Sequence, residues 1–517
     1  MTRQSVFLTA LVLILALSPA AFAQKFHNDD PLPQDNDKAV NVTSITKHKL
    51  NDQYDFVLHS FGKPGDRTKG PAANANTIGE VPDSSWFQNR QGMVPMSVSE
   101  LTTGPNKGTG PSTEQPWVII QAKTEGVTPG FRIRDGRGDV YFIKFDPLDN
   151  PEMATAAEVI STKFFHAFGY NVPENYIAFF NRSQLRIDEN AKITEEELDN
   201  LLKRVPRRRD GSYRALASKL LPGEPIGPFQ YYGTRPDDPN DIFPHENHRE
   251  LRGLRVFAAW LNHDDSRAIN TLDMLVKEDG KRHLKHYLID FGSTLGSGST
   301  NAQKPRAGWE YLWEPRPVFA RIFTLGLWDR QWIHTKYPQY PSIGNFEATD
   351  FEPENWKPEY PNPAFVNMTD KDAYWAAKIV MAFTERDIRA IVRTGQLSDP
   401  EAEDYLVETL IARQTKIGRT WLTRISSFDE FGWTASGELR FEHLGSFYDF
   451  VRKPEFRVSW FSFDNTTGER QSIDKFEPKH NEGYYVASIS SVEGTVDVYV
   501  RTVAGVDEPQ IVGVERR

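Results

Sequence analysis

The stretch from His263 to Gly292 constrains this chain more than any other. It reads H-D-D-S-R-A-I-N over 263–270, then T-L-D-M-L-V, a polar K-E-D-G-K-R, and finally H-L-K-H-Y-L-I-D-F-G. Asp279-Gly280 between two runs of alternating apolar residues is a strong hairpin signal, because a tight hairpin turn needs residues that tolerate positive φ. Such a hairpin starts beside Asp265 and Asn270 and returns Asp290 to the same end. Two carboxylates and an amide gathered at strand ends suit Mg²⁺, a hard cation that takes oxygen ligands and shares them with phosphates. A solvated surface hairpin would carry the same residue types at its turns. What lies upstream therefore decides the matter.

Upstream, Trp117–Lys123 is a β-rich run, followed by a turn bearing Gly126 and Gly130. Phe131–Arg134 and Val140–Phe145 read as two further strands about the turn Asp135-Gly-Arg-Gly138. The period of two puts Val140, Phe142 and Lys144 on one face of the last strand. A helix is expected next, over Met153–Phe168, with Asn150 as cap, Pro151 as first helical residue and Gly169 as stop. Met153, Ala157, Ile160, Phe164 and Phe168 form its apolar stripe. Glu158 lies at the edge of that stripe; alone it would count as an ordinary exposed glutamate.

Taken in order, a strand lysine, a helix glutamate, H-x-D-x-x-x-x-N and D-F-G resemble the protein-kinase-like superfamily. The resemblance spans residues 117–295 and is closer to atypical members, the HipA-like, CotH-like and phosphatidylinositol-kinase-like proteins. The chain lacks G-x-G-x-x-G, carries Asp264 where the arginine of H-R-D would stand, and has no A-P-E after Asp290. Phe142 stands two residues before the lysine, where a small residue commonly leaves room for adenine. The resemblance implies an α+β fold of two lobes, a β-rich first lobe and a mainly helical second. It implies ATP and Mg²⁺ as cofactors. Gly126 and Gly130 would cover the phosphates, Lys144 would contact them with Glu158 holding it, and Asn270 and Asp290 would bind Mg²⁺. Asp265 would accept the proton of the attacking hydroxyl, and Arg267 would steady the moving phosphoryl group. Asp264 is the rival base, but Asp265 has the spacing to Asn270.

The chain opens on a short basic start, an apolar run from Val6 to Leu17 and A-x-A at Ala21–Ala23. This reads as a signal peptide over residues 1–23 and an exported protein, periplasmic or extracellular. The run is too short for a spanning helix, and no later stretch approaches the roughly 20 apolar residues a bilayer needs. There is no cysteine, so neither disulfides nor thiolate metal sites arise. A net charge of −10 argues against nonspecific nucleic-acid binding.

Residues 24–115, rich in Pro, Gly, Asn and Asp, read as an extended arm and linker anchored by Trp86 and Phe87. The first lobe would span 116–235, with Ser212–Leu221 as strand and hinge and 222–241 as loop. The second would span 236–427, with a Gly/Ser-rich mobile stretch at 293–303 and helices capped at Thr369, Thr384 and near Ser398. His245 and His248 lack the H-E-x-x-H spacing and read as solvent-facing or structural. From Phe428 to Arg517 the period turns to two, suggesting a small β-sandwich-like domain with a surface for a protein partner. The acceptor would be a hydroxyl of a protein, lipid or sugar. A catalytically inactive kinase-fold scaffold and a nucleotidyl transferase remain open alternatives.

Overall fold

The computed structural model describes residues 24–122, 128–324, 330–477, 482–506 and 508–517. It is a mixed α/β structure. The signal-peptide segment, and Gly126 with it, lie outside the described residues.

A six-stranded sheet holds β1 (Trp117–Ala122), β2 (Gly130–Arg134), β3 (Val140–Lys144), β4 (Asn175–Phe180), β5 (Leu185–Ile187) and β6 (Tyr213–Lys219). Their order is β4-β6-β3-β2-β1-β5. Alternation sorts the two faces: Phe131, Ile133, Tyr141, Ile143 and Ala217 join one buried cluster, while Phe142 and Lys144 face the other way. The strand expected within 212–221 is β6, seated between β4 and β3.

The helix Met153–Phe168 runs as the apolar spacing predicts, but its start differs. Glu152 precedes it at φ 71 with no side-chain cap. Asn150 instead bonds the Pro341 carbonyl at 2.9 Å. One orphan donor of the first turn, the Thr155 amide, is met from outside by Asp146, which also accepts from the Thr155 hydroxyl, each at 2.8 Å.

The hairpin is β8 (Thr271–Glu278) and β9 (Lys281–Leu288), turning at Asp279 (φ 49) and Gly280 (φ 80). A short strand, β7 (Glu224–Gly227), pairs with β8 at its edge. The 222–241 segment was expected to be loop throughout. Pro225 masks the strand in the sequence and is tolerated because this is a sheet edge.

Helices Arg249–Leu261, Asp370–Met381, Glu385–Arg393 and Pro400–Leu422 build the largest apolar cluster with the Met153–Phe168 helix. Thr369 and Thr384 each close a capping box, and Asp399 caps the long helix. The 293–303 stretch, expected to be mobile, is packed: Ser297 and Gln303 are buried, and the Gln303 amide bonds the Asn262 carbonyl at 2.9 Å. A five-stranded sheet, in the spatial order Arg470–Ile473, Phe456–Phe463, Gly483–Ser491, Gly494–Thr502 and Gln510–Arg516, follows. The strand pair Phe428–Trp433 and Leu439–His443 shares its apolar cluster.

The N-terminal arm is bolted down by Trp86. Its ring stacks on His286 (centroids 3.5 Å, 10° apart) and meets Phe229, His245 and His248 at 4.7–5.1 Å. Each histidine keeps a carboxylate partner: Asp273 at 2.7 Å, Asp241 at 2.8 Å and Glu250 at 2.9 Å respectively for His286, His245 and His248. These histidines are therefore structural and buried, not solvent-facing. Trp86→Ala empties a site that is 6 % exposed and should cost about 3–5 kcal/mol, read as a lower urea midpoint.

Candidate active site

Lys144 ends β3, with Gly130 directly opposite it on β2. Its ammonium stands 2.9 Å from Asp290 and 3.5 Å from Glu158. Burial alone would lower the lysine's pKa, but Asp290 and Glu158 outweigh it and hold the group above its usual range. Glu158 is buried, not the exposed flank residue its type suggests. Burial raises its carboxyl above the usual value against the pull of Lys144, and Asp290 adds to the rise. Asn175 on β4 lies 3.5 Å from the second Glu158 oxygen and donates to Thr162 at 2.8 Å.

Asp290 sits at φ 62, a left-handed conformation that aspartate tolerates better than most side chains. Two residues on, a Cβ at Gly292 would come within 3.1 Å of Glu158 and 2.8 Å of Ser299. The glycine of D-F-G thus leaves room for the glutamate. Between them Phe291 stacks on Phe165 (4.6 Å, 19°), and His263 packs against both rings at 5.7–5.8 Å. Burial pushes the His263 imidazole down to about 4, so it is neutral and serves as packing.

Below the hairpin, the Asn270 amide donates to the Asp265 carbonyl at 2.8 Å, which leaves its Oδ1 as an acceptor. Asp265 is pushed up to about 7, first by burial and then by Glu359, against the pull of Arg267. Arg267 contacts Asp265 directly, and also Asp52 at 2.9 Å and Glu359 at 3.5 Å. Three carboxylates therefore share one guanidinium. Asp264 is also raised well above its usual value by burial and by Glu359, and it accepts from Gln303 at 2.8 Å. A cleft of about 190 Å³ opens here, lined by Asp264, Asp265, Ser293, Gln303, Glu310 and Glu359 among others.

The structure thus brings Lys144, Glu158 and Asp290 into one cluster, and Asp265, Arg267 and Asn270 into a second at the foot of the same hairpin. Gly130 lies against the first. Asp52, Asn175, Gln303 and Glu359 had no signal in the sequence, since each joins the site across the fold rather than within a motif. Among the described residues no group of three or more His, Asp and Glu side chains gathers as an all-protein metal cage would. A half-exposed carboxylate, Asp290, and the amide oxygen of Asn270 are of the oxygen-donor type Mg²⁺ uses beside phosphates, but they stand in separate clusters and Asp290 is engaged by Lys144.

No family model matches the sequence, and no curated protein matches it significantly. Among solved structures, the crystal structure of a Helicobacter pylori proinflammatory kinase, CtkA, is similar at 13% identity over 58% of this chain and 94% of that chain, with a TM-score of 0.29. That likeness is compatible with a kinase-like fold and carries no argument for activity, substrate or partner.

Proposed function

We propose that the chain is a kinase-like phosphotransferase of two lobes that moves the γ-phosphoryl group of ATP to a hydroxyl of a protein, lipid or sugar. The observation that carries this is the Lys144–Glu158–Asp290 cluster. A buried glutamate, a strand lysine and a left-handed aspartate have little reason to converge for stability alone, because burying charge costs free energy unless something uses it.

In this reading the six-stranded sheet is the first lobe and the helical cluster the second, each with its own core. Gly130 backbone and Lys144 hold the phosphates, and Glu158 fixes the lysine. Asp290 and Asn270 would hold Mg²⁺. When bound, Mg²⁺ would neutralise charge on the phosphate oxygens. Asp265 takes the proton of the attacking hydroxyl as its oxygen bonds the γ-phosphorus, the bond to the β-phosphate oxygen breaks, and ADP leaves. Arg267 orients Asp265 through their direct contact.

Incubating the full chain with labelled ATP tests this. Mg²⁺-dependent release of ADP, abolished by chelation, is the expected result. Pyrophosphate in place of ADP would reassign the chemistry to nucleotidyl transfer, and no turnover over any acceptor would leave a kinase-fold scaffold. If residues 1–23 are the export signal their sequence suggests, the reaction would take place in the periplasm or outside the cell.

A further inference from the structure

The six-stranded sheet carries a second cation on the face that bears Lys144. Arg132 of β2 stands directly opposite Phe142 of β3, and its guanidinium lies over the Phe142 ring at 4.5 Å. Phe142 and Lys144 share a face by the two-residue period, so Arg132 lies on that face too. Arg132 and Lys144 are diagonal neighbours across the strand pair, about 7–8 Å apart at the backbone. Gly130, opposite Lys144, leaves bare backbone beside both cations.

Nothing in the described residues uses the Arg132 charge. It has no ion-pair partner there, and its Nε is buried without a hydrogen-bond partner. A buried donor left unmade costs free energy, so its retention asks for a use. Arg214 of β6 shows the structural alternative, since its guanidinium is spent on the carbonyls of Gly395 and Gln396 and on the Thr155 hydroxyl. The residues flanking Arg132 and Phe142 in the same row are Gln121 on β1 and Ser218 on β6, neither of them a carboxylate. Lys144, by contrast, is one cation shared by Glu158 and Asp290, which leaves that cluster short of positive charge. An anionic donor needs more than Lys144 can offer.

We infer that Arg132 is a second phosphate ligand, and that the site recognises the phosphate chain of its donor and not the base. The chain would run from Lys144 past the Gly130 backbone to Arg132. A guanidinium suits this role because it is always charged and offers several donors in a fixed plane. The Phe142 ring, with the guanidinium over it, takes up the sheet face next to Lys144, so that ground presents charge and no apolar slot for a base. ATP, GTP and inorganic tripolyphosphate then carry the same binding determinant. The inference rests on the reading of the Lys144 cluster as a phosphate site.

Titration calorimetry of the full chain with ATP, GTP and inorganic tripolyphosphate, each with Mg²⁺, tests it. The three should bind the wild type within about threefold of one another, a margin no larger than one neutral hydrogen bond gives. Arg132→Gln should weaken all three about tenfold or more, as loss of a charge-assisted contact does, and Arg132→Lys should recover part of the loss. Circular dichroism checks that both variants fold. An arginine that only packs on Phe142 would leave tripolyphosphate binding unchanged in Arg132→Gln, and that result overturns the assignment. ATP binding more than about tenfold tighter than tripolyphosphate overturns the indifference to the base and leaves the phosphotransfer reading intact. Tripolyphosphate binding with no ADP released from ATP does the reverse. No binding by any of the three overturns the inference as well.

Discussion

Replacing Asp265 by Asn is expected to lower kcat/KM about 10²–10⁴-fold, the usual contribution of a positioned general base. Asn keeps the shape and a hydrogen-bonding oxygen for Arg267, so the loss reads chemistry and not collapse. The wild type carries a second signature. Burial and Glu359 hold the Asp265 carboxyl up to about 7, so only its ionised fraction can take a proton. The logarithm of kcat/KM should climb with a slope near one below about pH 7 and level off above it, and the Asn variant should lose that limb. Stability moves the other way. The folded pKa lies above the unfolded value, so the native state retains a proton that the unfolded chain releases. This group therefore destabilises the fold progressively as pH rises from the unfolded value of 3.8 towards 7. Asp265→Asn should for that reason unfold at a higher temperature than wild type at pH 8. An unchanged rate in the variant removes Asp265 from the reaction.

Lys144→Ala should affect both binding and stability. Removing the ammonium leaves Glu158 buried with no cation beside it, and breaking a buried pair from one side typically costs about 3–5 kcal/mol. Burial already raises the Glu158 pKa with the lysine present, and without it the rise is larger. Since that folded pKa lies above the unfolded 4.5, the deficit grows as pH rises through this window and fades below it. Urea unfolding of the variant at acid and neutral pH measures this difference. Lys144→Met/Glu158→Gln should recover most of the stability, because neither side chain then needs a counterion, yet it should not recover ATP binding. Full ATP affinity in Lys144→Ala would detach the lysine from the phosphates.

The legible and hidden parts of the site differ by range. The hairpin and the helix Met153–Phe168 follow from patterns local in sequence: the Asp-Gly turn, the two-residue period and the 3.6-residue stripe. The contacts that set the electrostatics are not local. Asp52 reaches Arg267 across 215 residues of chain, and Arg267 draws on Glu359 as well. A sequence pattern has no means of showing that three carboxylates compete for one guanidinium. The helix start failed for a related reason. Asn150 and Pro151 make a good local cap, but Asp146 beneath Thr155 supplies the acceptors and frees Asn150 for Pro341. In the same way Pro225 hid an edge strand whose partner, β8, lies some fifty residues on. Local grammar found the elements, and tertiary neighbours set their charges.

The most direct measurement is thermal unfolding of the wild type and Asp290→Ala, each with and without Mg²⁺-ATP. A ligand at about 100 times its dissociation constant adds roughly 2.7 kcal/mol to the native state, which moves the midpoint by a readable amount. The wild type is expected to shift only when Mg²⁺ and ATP are both present, and Asp290→Ala, folded by circular dichroism, to show no such shift. No shift in the wild type at millimolar ATP, or the same shift in both proteins, contradicts the nucleotide site built on Lys144, Glu158 and Asp290.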